Sequence, residues 1–502
     1  MVEKRTGLEL NFGKLKTTEL ASKLKSINQT LKKTEQPTEE LKILCLNLVE
    51  PKLLTHKIYV PDHPFDEIQL QDVFTVFIHQ LKNLHQPENP FFTYYFQLAE
   101  SLTKVRSICL MGSLEQEVHD ELMIEFFQNS FNNINKNTPI NVYLLISELL
   151  VNLIQEAPSI PSPVCRLIIN HFEKKKKIEN ITAHQMAIDI CKSTTMKLQR
   201  FVCQHFSELL NQASNTSIPG SPNSSSDEAP SSKQEAAKAL LSVHKLILQI
   251  HNNCPDLLIN VIPQLEMELE CEVETRSLAV QILGEMFLDS RMEQTPGMKS
   301  FYETWPGVWK SWCDRRNDSS VLVRTLWVEL CANIFKFKPE LIKALTPCLH
   351  EKLMDLEEKV RIASINVFKN LTITDIINIP KSLLLDVSER CRDKKINVRN
   401  EAATVLAKIY NKCFKLIKSG ENLNASDKFG WIPSHILNLQ YVDDKELIAL
   451  IERLFNEEIL PPNLNDDERT DRTLIFLDSL FLSENVDRNR KAFLAYLDRQ
   501  DT

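Results

Sequence analysis

Along most of this chain apolar residues return every three or four positions, and the pattern itself recurs at longer range. Counted from Arg276, positions +2, +3, +6, +7, +10 and +11 read Leu278, Ala279, Ile282, Leu283, Met286 and Phe287. From Arg324 they read Leu326, Trp327, Leu330, Cys331, Ile334 and Phe335, and from Arg399 Glu401, Ala402, Val405, Leu406, Ile409 and Tyr410. That spacing lays one stripe along one face of a helix.

Each stripe follows the same short signature. An aspartate stands six residues before an arginine at Asp318/Arg324, Asp355/Arg361 and Asp393/Arg399, with Val323, Val360 and Val398 just before the arginines; Glu270/Arg276 is a weaker copy with Thr275 in the valine slot. The acid is placed to cap a new helix at its positive end. The arginine, about a turn further in, is placed to reach a neighbouring unit's acid. Arg324, Arg361 and Arg399 are 37 and 38 residues apart, close to the roughly 40-residue period of HEAT-type helical hairpins. Such a hairpin cannot bury its own apolar face and must stack on the next one. The predicted fold is all-α: an α-solenoid of HEAT-type hairpins, elongated and curved.

Helical patterning extends well beyond these units. It covers Leu70–Leu84, Phe91–Cys109, the pairs Glu117–Phe131 with Ile140–Ile154 and Pro163–Phe172 with Ala183–Leu210, then Glu235–His251 and Leu257–Leu269. Trp431–Leu439, Lys445–Phe455 and Arg472–Leu482 complete it. Two interruptions stand out. Tyr59–Phe65 carries Pro61 and Pro64, which forbid a continuous helix. Residues 214–232 hold eight serines and three prolines, a composition that cannot bury a core. The expected organisation is therefore N-terminal HEAT-like repeats over 1–211, a disordered Ser/Pro-rich loop over 212–234, and repeats continuing the same solenoid over 235–502.

Bulk composition narrows the classes. Nine glycines in 502 residues disfavour tight-turned sheets and glycine-cradled phosphate sites. A net charge of −8 does not advertise nucleic-acid binding. The twelve cysteines are scattered, the nearest two being Cys191 and Cys203, and read as reduced core thiols of an intracellular protein. The amino terminus lacks a signal-peptide apolar run, and no stretch approaches the roughly 18 apolar residues of a membrane span; a soluble cytosolic or nuclear protein is expected.

Catalytic and metal signatures are missing. No GxxxxGK[ST], GxGxxG or GxSxG occurs, and His350-Glu351-Lys352-Leu353-Met354 has Met where a zinc-protease helix needs a second histidine. Neither an enzyme nor a metal site is expected. Lys174–Lys177 reads as a solvated basic loop. Lys394, Lys395 and Arg399, with Lys408, Lys412 and Lys415 downstream, have the charge to bind a polyanion, although an ordinary polar helix face accounts for them better.

Several segments together carry a family resemblance. They are Phe91 with Tyr95–Glu100, Pro255–Glu266, Asp393–Arg399 with Glu401-Ala402, and Trp431, Asp443–Lys445 and Leu460–Leu464. In order and in content they resemble the cohesin-associated HEAT proteins of the precocious-dissociation-of-sisters family, from about residue 40 to the end. Members are much longer, so the chain resembles an N-terminal part. The resemblance implies a nuclear, chromosome-associated, non-enzymatic scaffold. Its partners would be the cohesin kleisin subunit, a Wapl-type release factor and the cohesin acetyltransferase, with chromatin reached through cohesin and no membrane. The family's Ala-Pro-Asp-Ala-Pro-Tyr docking motif corresponds here to Val60, Pro61, Asp62, His63, Pro64 and Phe65. Both prolines and the aspartate match, whereas Val60, His63 and Phe65 depart, the last losing a hydroxyl. No cofactor is required by the resemblance; inositol hexakisphosphate is implied as a bound polyanion, through Lys82, Lys394, Lys395 and Lys412. Read from the residues alone, another HEAT-type scaffold such as a nuclear transport adaptor stays open.

Overall fold

In the repeated helices burial follows the spacing from each arginine. Positions +3, +6, +7, +10 and +11 are buried after Arg276 (Ala279, Ile282, Leu283, Met286, Phe287), after Arg324 (Trp327 to Phe335) and after Arg399 (Ala402 to Tyr410). Position +2 is only half-buried at Leu278, Leu326 and Glu401, so it is a rim position. That is why one copy tolerates a glutamate, whose carboxylate meets Lys369 Nζ at 2.6 Å. Position +4, outside the predicted stripe, is fully buried as Val280, Val328 and Ala403. Helices packed between two neighbours bury a wider face than one stripe.

The computed structural model describes residues 116–157, 159–215, 229–289, 299–419, 425–441, 445–481 and 486–500. Every regular element among them is helical, and no helix among them is long and apolar enough to cross a membrane. The fold is all-α, built from stacked helical hairpins. The chain divides into two compact units, Met1–Ile262 and Pro263–Thr502.

The first unit contains α1 (Gln116–Asn133), α2 (Ile140–Glu156), α3 (Ser162–Asn170), α4 (Lys174–Glu179), α5 (Ile181–Ser193), α6 (Thr195–Asn215) and α7 (Ala229–His251). Pro139 and Pro161 immediately precede α2 and α3. There proline removes an amide that would have no intrahelical partner. Ala183–Leu210, expected as one helix, breaks at Thr194, the C-cap of α5 at φ −123° and ψ 22°. The Thr194 and Thr195 hydroxyls donate to the Ile190 and Cys191 carbonyls, giving the backbone an alternative to its own ladder. The basic run expected as a loop is helical in α4, with Lys175 and Lys177 exposed. Asn180 caps α5 by accepting from the Ala183 amide at 3.0 Å, while its Nδ2 donates to Ile134 O at 2.7 Å. Helices α6 and α7 enter both margins of the 212–234 stretch; 216–228 lie outside the described residues.

The second unit opens with α8 (Ile262–Glu268) and α9 (Val273–Phe287), then α10 (Phe301–Thr304), α11 (Pro306–Asp314), α12 (Val321–Phe337), α13 (Ile342–Leu353) and α14 (Glu358–Asn366). It continues with α15 (Ile373–Asn378), α16 (Lys381–Arg390), α17 (Ile396–Ser419), α18 (Ala425–Phe429), α19 (Ile432–Leu437), α20 (Lys445–Leu454), α21 (Asp466–Phe481) and α22 (Val486–Gln500). The second helices of consecutive hairpins, α9, α12, α14 and α17, pack side by side in one layer, and α13 and α16 pack in the other. Gly284 permits a close approach in the first layer. A Cβ there would stand 2.8 Å from Leu330 Cδ1.

Lysines fasten helix ends across hairpins. Lys338 Nζ donates to Asp289 O just beyond α9 at 2.9 Å, and Lys412 Nζ to Leu371 O beyond α14 at 3.0 Å. In the first unit Lys197 Nζ does the same at Ala157 O, 3.0 Å, the C-cap of α2. The last carbonyls of a helix have no intrahelical donor and carry its negative end, so the ammonium on the Ala157 carbonyl satisfies both needs.

Candidate functional site

The charged signature forms a ladder along one edge of the second unit. Arg276 holds Asp318 with two bonds, Nε to Oδ2 and Nη2 to Oδ1, both 3.0 Å. Arg324 holds Asp355 the same way at 3.0 and 3.1 Å. Arg361 Nη2 donates to Asp393 Oδ1 at 3.0 Å, with Nε 2.9 Å from Oδ2. Each pair joins one hairpin to the next. Within its own hairpin the arginine uses Nη1 on the aspartate's backbone: Arg324 to Asp318 O at 2.7 Å, Arg361 to Asp355 O and Arg399 to Asp393 O at 2.8 Å. One guanidinium thus closes its own interhelical turn and grips the following one, which its fixed fork of donors makes geometrically possible.

Each aspartate is equally committed. Asp318, Asp355 and Asp393 Oδ1 accept the amide two residues on, from Ser320, Glu357 and Lys395, at 2.8, 3.0 and 2.9 Å. Each also meets a cation three residues earlier: Arg315 at 3.5 Å, Lys352 at 3.0 Å and Arg390 at 3.5 Å. This second cation per rung was legible, as a basic residue at −3 from every aspartate, but reading only from aspartate to arginine passes over it. Burial pushes the Asp355 carboxyl upward. The hydrogen bonds from Arg324, the Glu357 amide and Lys352 outweigh it and hold the group below its ordinary value. Asp393 shows the same balance, burial opposed by the Lys395 amide and by Arg361.

Glu270 departs from the pattern. Its side chain is 73% exposed and pairs with Arg315 at 3.0 Å, and Arg276 Nη1 turns to the Cys271 carbonyl instead. A glutamate is one methylene too long for the tight cap an aspartate makes with the amide two residues on.

Of the lysines expected at a polyanion site, Lys394 and Lys395 are not brought together with Lys412. Lys394 and Lys395 are exposed beside the first turn of α17. Lys412 lies 17 residues beyond Lys395, about 25 Å along the axis at ~1.5 Å per residue, with its ammonium on Leu371 O and 3.4 Å from Lys369 O. Lys82 and the stretch Val60–Phe65 lie outside the described residues. No group of three or more His, Cys, Asp or Glu among the described residues could hold a metal ion.

The ladder matches its charges internally. It fixes the register of hairpins and leaves the turn residues to face solvent. At equivalent places in successive turns stand Leu356, 91% exposed, and Lys394. These features define a HEAT-type helical repeat scaffold. Residues 18–502 match the family described as sister chromatid cohesion protein PDS5 protein, and the chain belongs to that family. It is 28% identical to "Sister chromatid cohesion protein pds5" of Schizosaccharomyces pombe, covering 97% of this chain and 41% of the relative. It is 26% identical to the PDS5 protein of Saccharomyces cerevisiae, covering 92% of this chain and 37% of the relative. The chain therefore spans well under half the length of these relatives. A solved structure, "Structure of the Pds5-Scc1 complex and implications for cohesin function", has the same fold at a TM-score of 0.73 and 24% identity, covering 97% of this chain and 72% of that one.

Proposed function

We propose that this chain is the N-terminal part of a non-enzymatic cohesin regulator that binds the kleisin subunit and controls the maintenance and dissolution of sister chromatid cohesion on chromosomes in the nucleus. The observation that carries this reading is the family match over residues 18–502, which runs through the whole ladder. The fold likeness to a Pds5 solved with Scc1 supports the kleisin as partner. A stack of hairpins in fixed register suits an extended kleisin segment, because such a ligand needs many small contacts at constant spacing. The stretch Val60–Phe65 would dock peptides of a Wapl-type release factor and of the acetyltransferase. Its two prolines restrict the backbone, and Asp62 and Phe65 offer a charge and an apolar anchor. Inositol hexakisphosphate, if bound by this face, would use Lys394 and Lys395 rather than Lys412.

The test is retention of recombinant kleisin fragments on the immobilised 502-residue chain. Retention of one defined segment is expected; failure of fragments spanning the entire kleisin would overturn the reading. In the same assay Asp62→Ala with Phe65→Ala should weaken release-factor peptide binding and leave kleisin retention unchanged. If both bindings fall together, the loop is only structural.

A further inference from the structure

The first unit carries an apolar patch on the edge where its interhelical turns lie. Helices α2 and α5 pack side by side and run in the same direction. Asn180 Nδ2 on Ile134 O, at 2.7 Å, ties the chain just before both helices. Tyr143 Oη on Asp189 Oδ2, at 2.5 Å, ties them along their length, and Gln155 Nε2 on Ser193 O, at 3.2 Å, ties their far ends. Ile140 and Ile181 are the first residues of the two helices, so both stand at the same edge. With Leu144, one turn further along α2, and Ile178 in α4, they are 59–72% exposed. Both rows turn polar away from the edge: Glu148 follows Ile140 and Leu144 at the same spacing, and Gln185 and Asp189 follow Ile181. Single exposed apolar residues are ordinary, but four gathered at one edge mark a contact surface.

We propose that this edge is a docking surface for an acidic, amphipathic helical segment of another protein. Charge sets the sign of the partner. The two turn stretches, 134–140 and 173–181, hold five lysines against two glutamates on a chain whose net charge is −8. Lys136, Lys175 and Lys177 are exposed beside the isoleucines. Exposed lysines steer an acidic ligand and fix its placement, while apolar anchors supply the buried area. Spacing sets the partner's shape. Neighbouring packed helices stand about 8–10 Å apart. Side chains at i and i+7 on one face of a helix, at ~1.5 Å per residue, stand about 10 Å apart. A ligand helix laid across the starts of α2 and α5 therefore sets those two side chains against Ile140 and Ile181, with an i+3 or i+4 residue between them. Nucleic acid fits this surface poorly. A phosphate backbone would use the lysines but has nothing to set on four aliphatic side chains, and neither stretch holds an aromatic residue or an arginine on which a base could stack.

The experiment titrates the 502-residue chain into a fluorescein-labelled helical peptide with leucines at i, i+4 and i+7 and glutamate and alanine elsewhere, and reads fluorescence anisotropy. Saturable binding that weakens as salt rises is expected. Ile140→Ser with Ile181→Ser should weaken it about tenfold or more at unchanged melting temperature, since each isoleucine is covered only in the complex. Lys175→Glu with Lys177→Glu should weaken it and flatten its salt dependence. Absence of saturable binding to the wild type would overturn the proposal, as would full-strength binding to the isoleucine variant. Equal binding of a peptide with its leucines replaced by alanine would reduce the surface to a charge effect and overturn it too. That comparison uses only the wild-type chain, so it decides the matter even if a serine variant is unstable. Duplex DNA that displaces the peptide and binds wild type and isoleucine variant equally would assign the lysines to nucleic acid instead.

Discussion

Arg361 and Asp393 belong to different hairpins, meet through Nη2 and Oδ1 at 3.0 Å, and have side chains only 4% exposed each. They form the most buried rung of the ladder; Arg276 and Arg324 keep 14% and 13% of their side chains in water. A buried pair of this kind is worth little compared with an apolar pair of the same shape, but much compared with either charge left alone.

Arg361→Ala should therefore lower the stability of the second unit by about 3 kcal/mol, since Asp393 keeps only Arg390 and one amide. Arg276→Ala, at a wetter rung, should cost about 1–2 kcal/mol. Urea denaturation of the two variants side by side checks the order. Equal losses would mean that burial does not grade the ladder.

The ladder should also fail in acid, and the sign follows from the depressed carboxyls. Asp355 and Asp393 titrate below their unfolded value of about 3.9 when folded, so the unfolded chain takes up their protons first. Their contribution is complete above about pH 5 and is lost as pH falls through the folded values. The stability gap between the wild type and Asp393→Asn should stay constant from neutral pH down to about pH 5 and then shrink. Denaturation midpoints measured across that range test this.

Lys412 and the pair Lys394–Lys395 should separate cleanly. Lys412→Ala should cost about 1 kcal/mol of stability through the uncapped Leu371 carbonyl, with little effect on retention by a polyphosphate resin. Lys394→Ala with Lys395→Ala should leave melting unchanged and weaken that retention. Calorimetry and resin binding on the same three proteins give the answer.

Lys338→Ala should be among the more damaging single lysine changes in the second unit. Its side chain is almost wholly buried and its ammonium reaches Asp289 O at 2.9 Å, so about 2 kcal/mol is expected from the lost charged hydrogen bond and stem packing. Thermal melting relative to the exposed control Lys343→Ala measures it.

Much of this molecule could be read without coordinates, because the information was local. Helix-forming stripes need residues three and four apart, and the acid-to-arginine spacing of six sits inside one turn and one helix start. The choice of partner was not local. Arg324 stands six residues from Asp318 and 31 from Asp355, yet its bidentate contact goes to the distant acid and only Nη1 goes to the near one's backbone. Lys412, read as a polyanion ligand from its neighbours in sequence, is engaged by a carbonyl 41 residues earlier.

By itself the chain determined that it would be helical, that its hairpins must stack, and which helix faces would be hidden, since periodicity and the inability of one hairpin to cover its own apolar side leave few alternatives. Only the tertiary structure decided how wide each buried face is and which cation answers which acid. Those outcomes depend on the distance between segments about thirty to forty residues apart, and that distance is created by packing, not by any property of a short stretch of sequence.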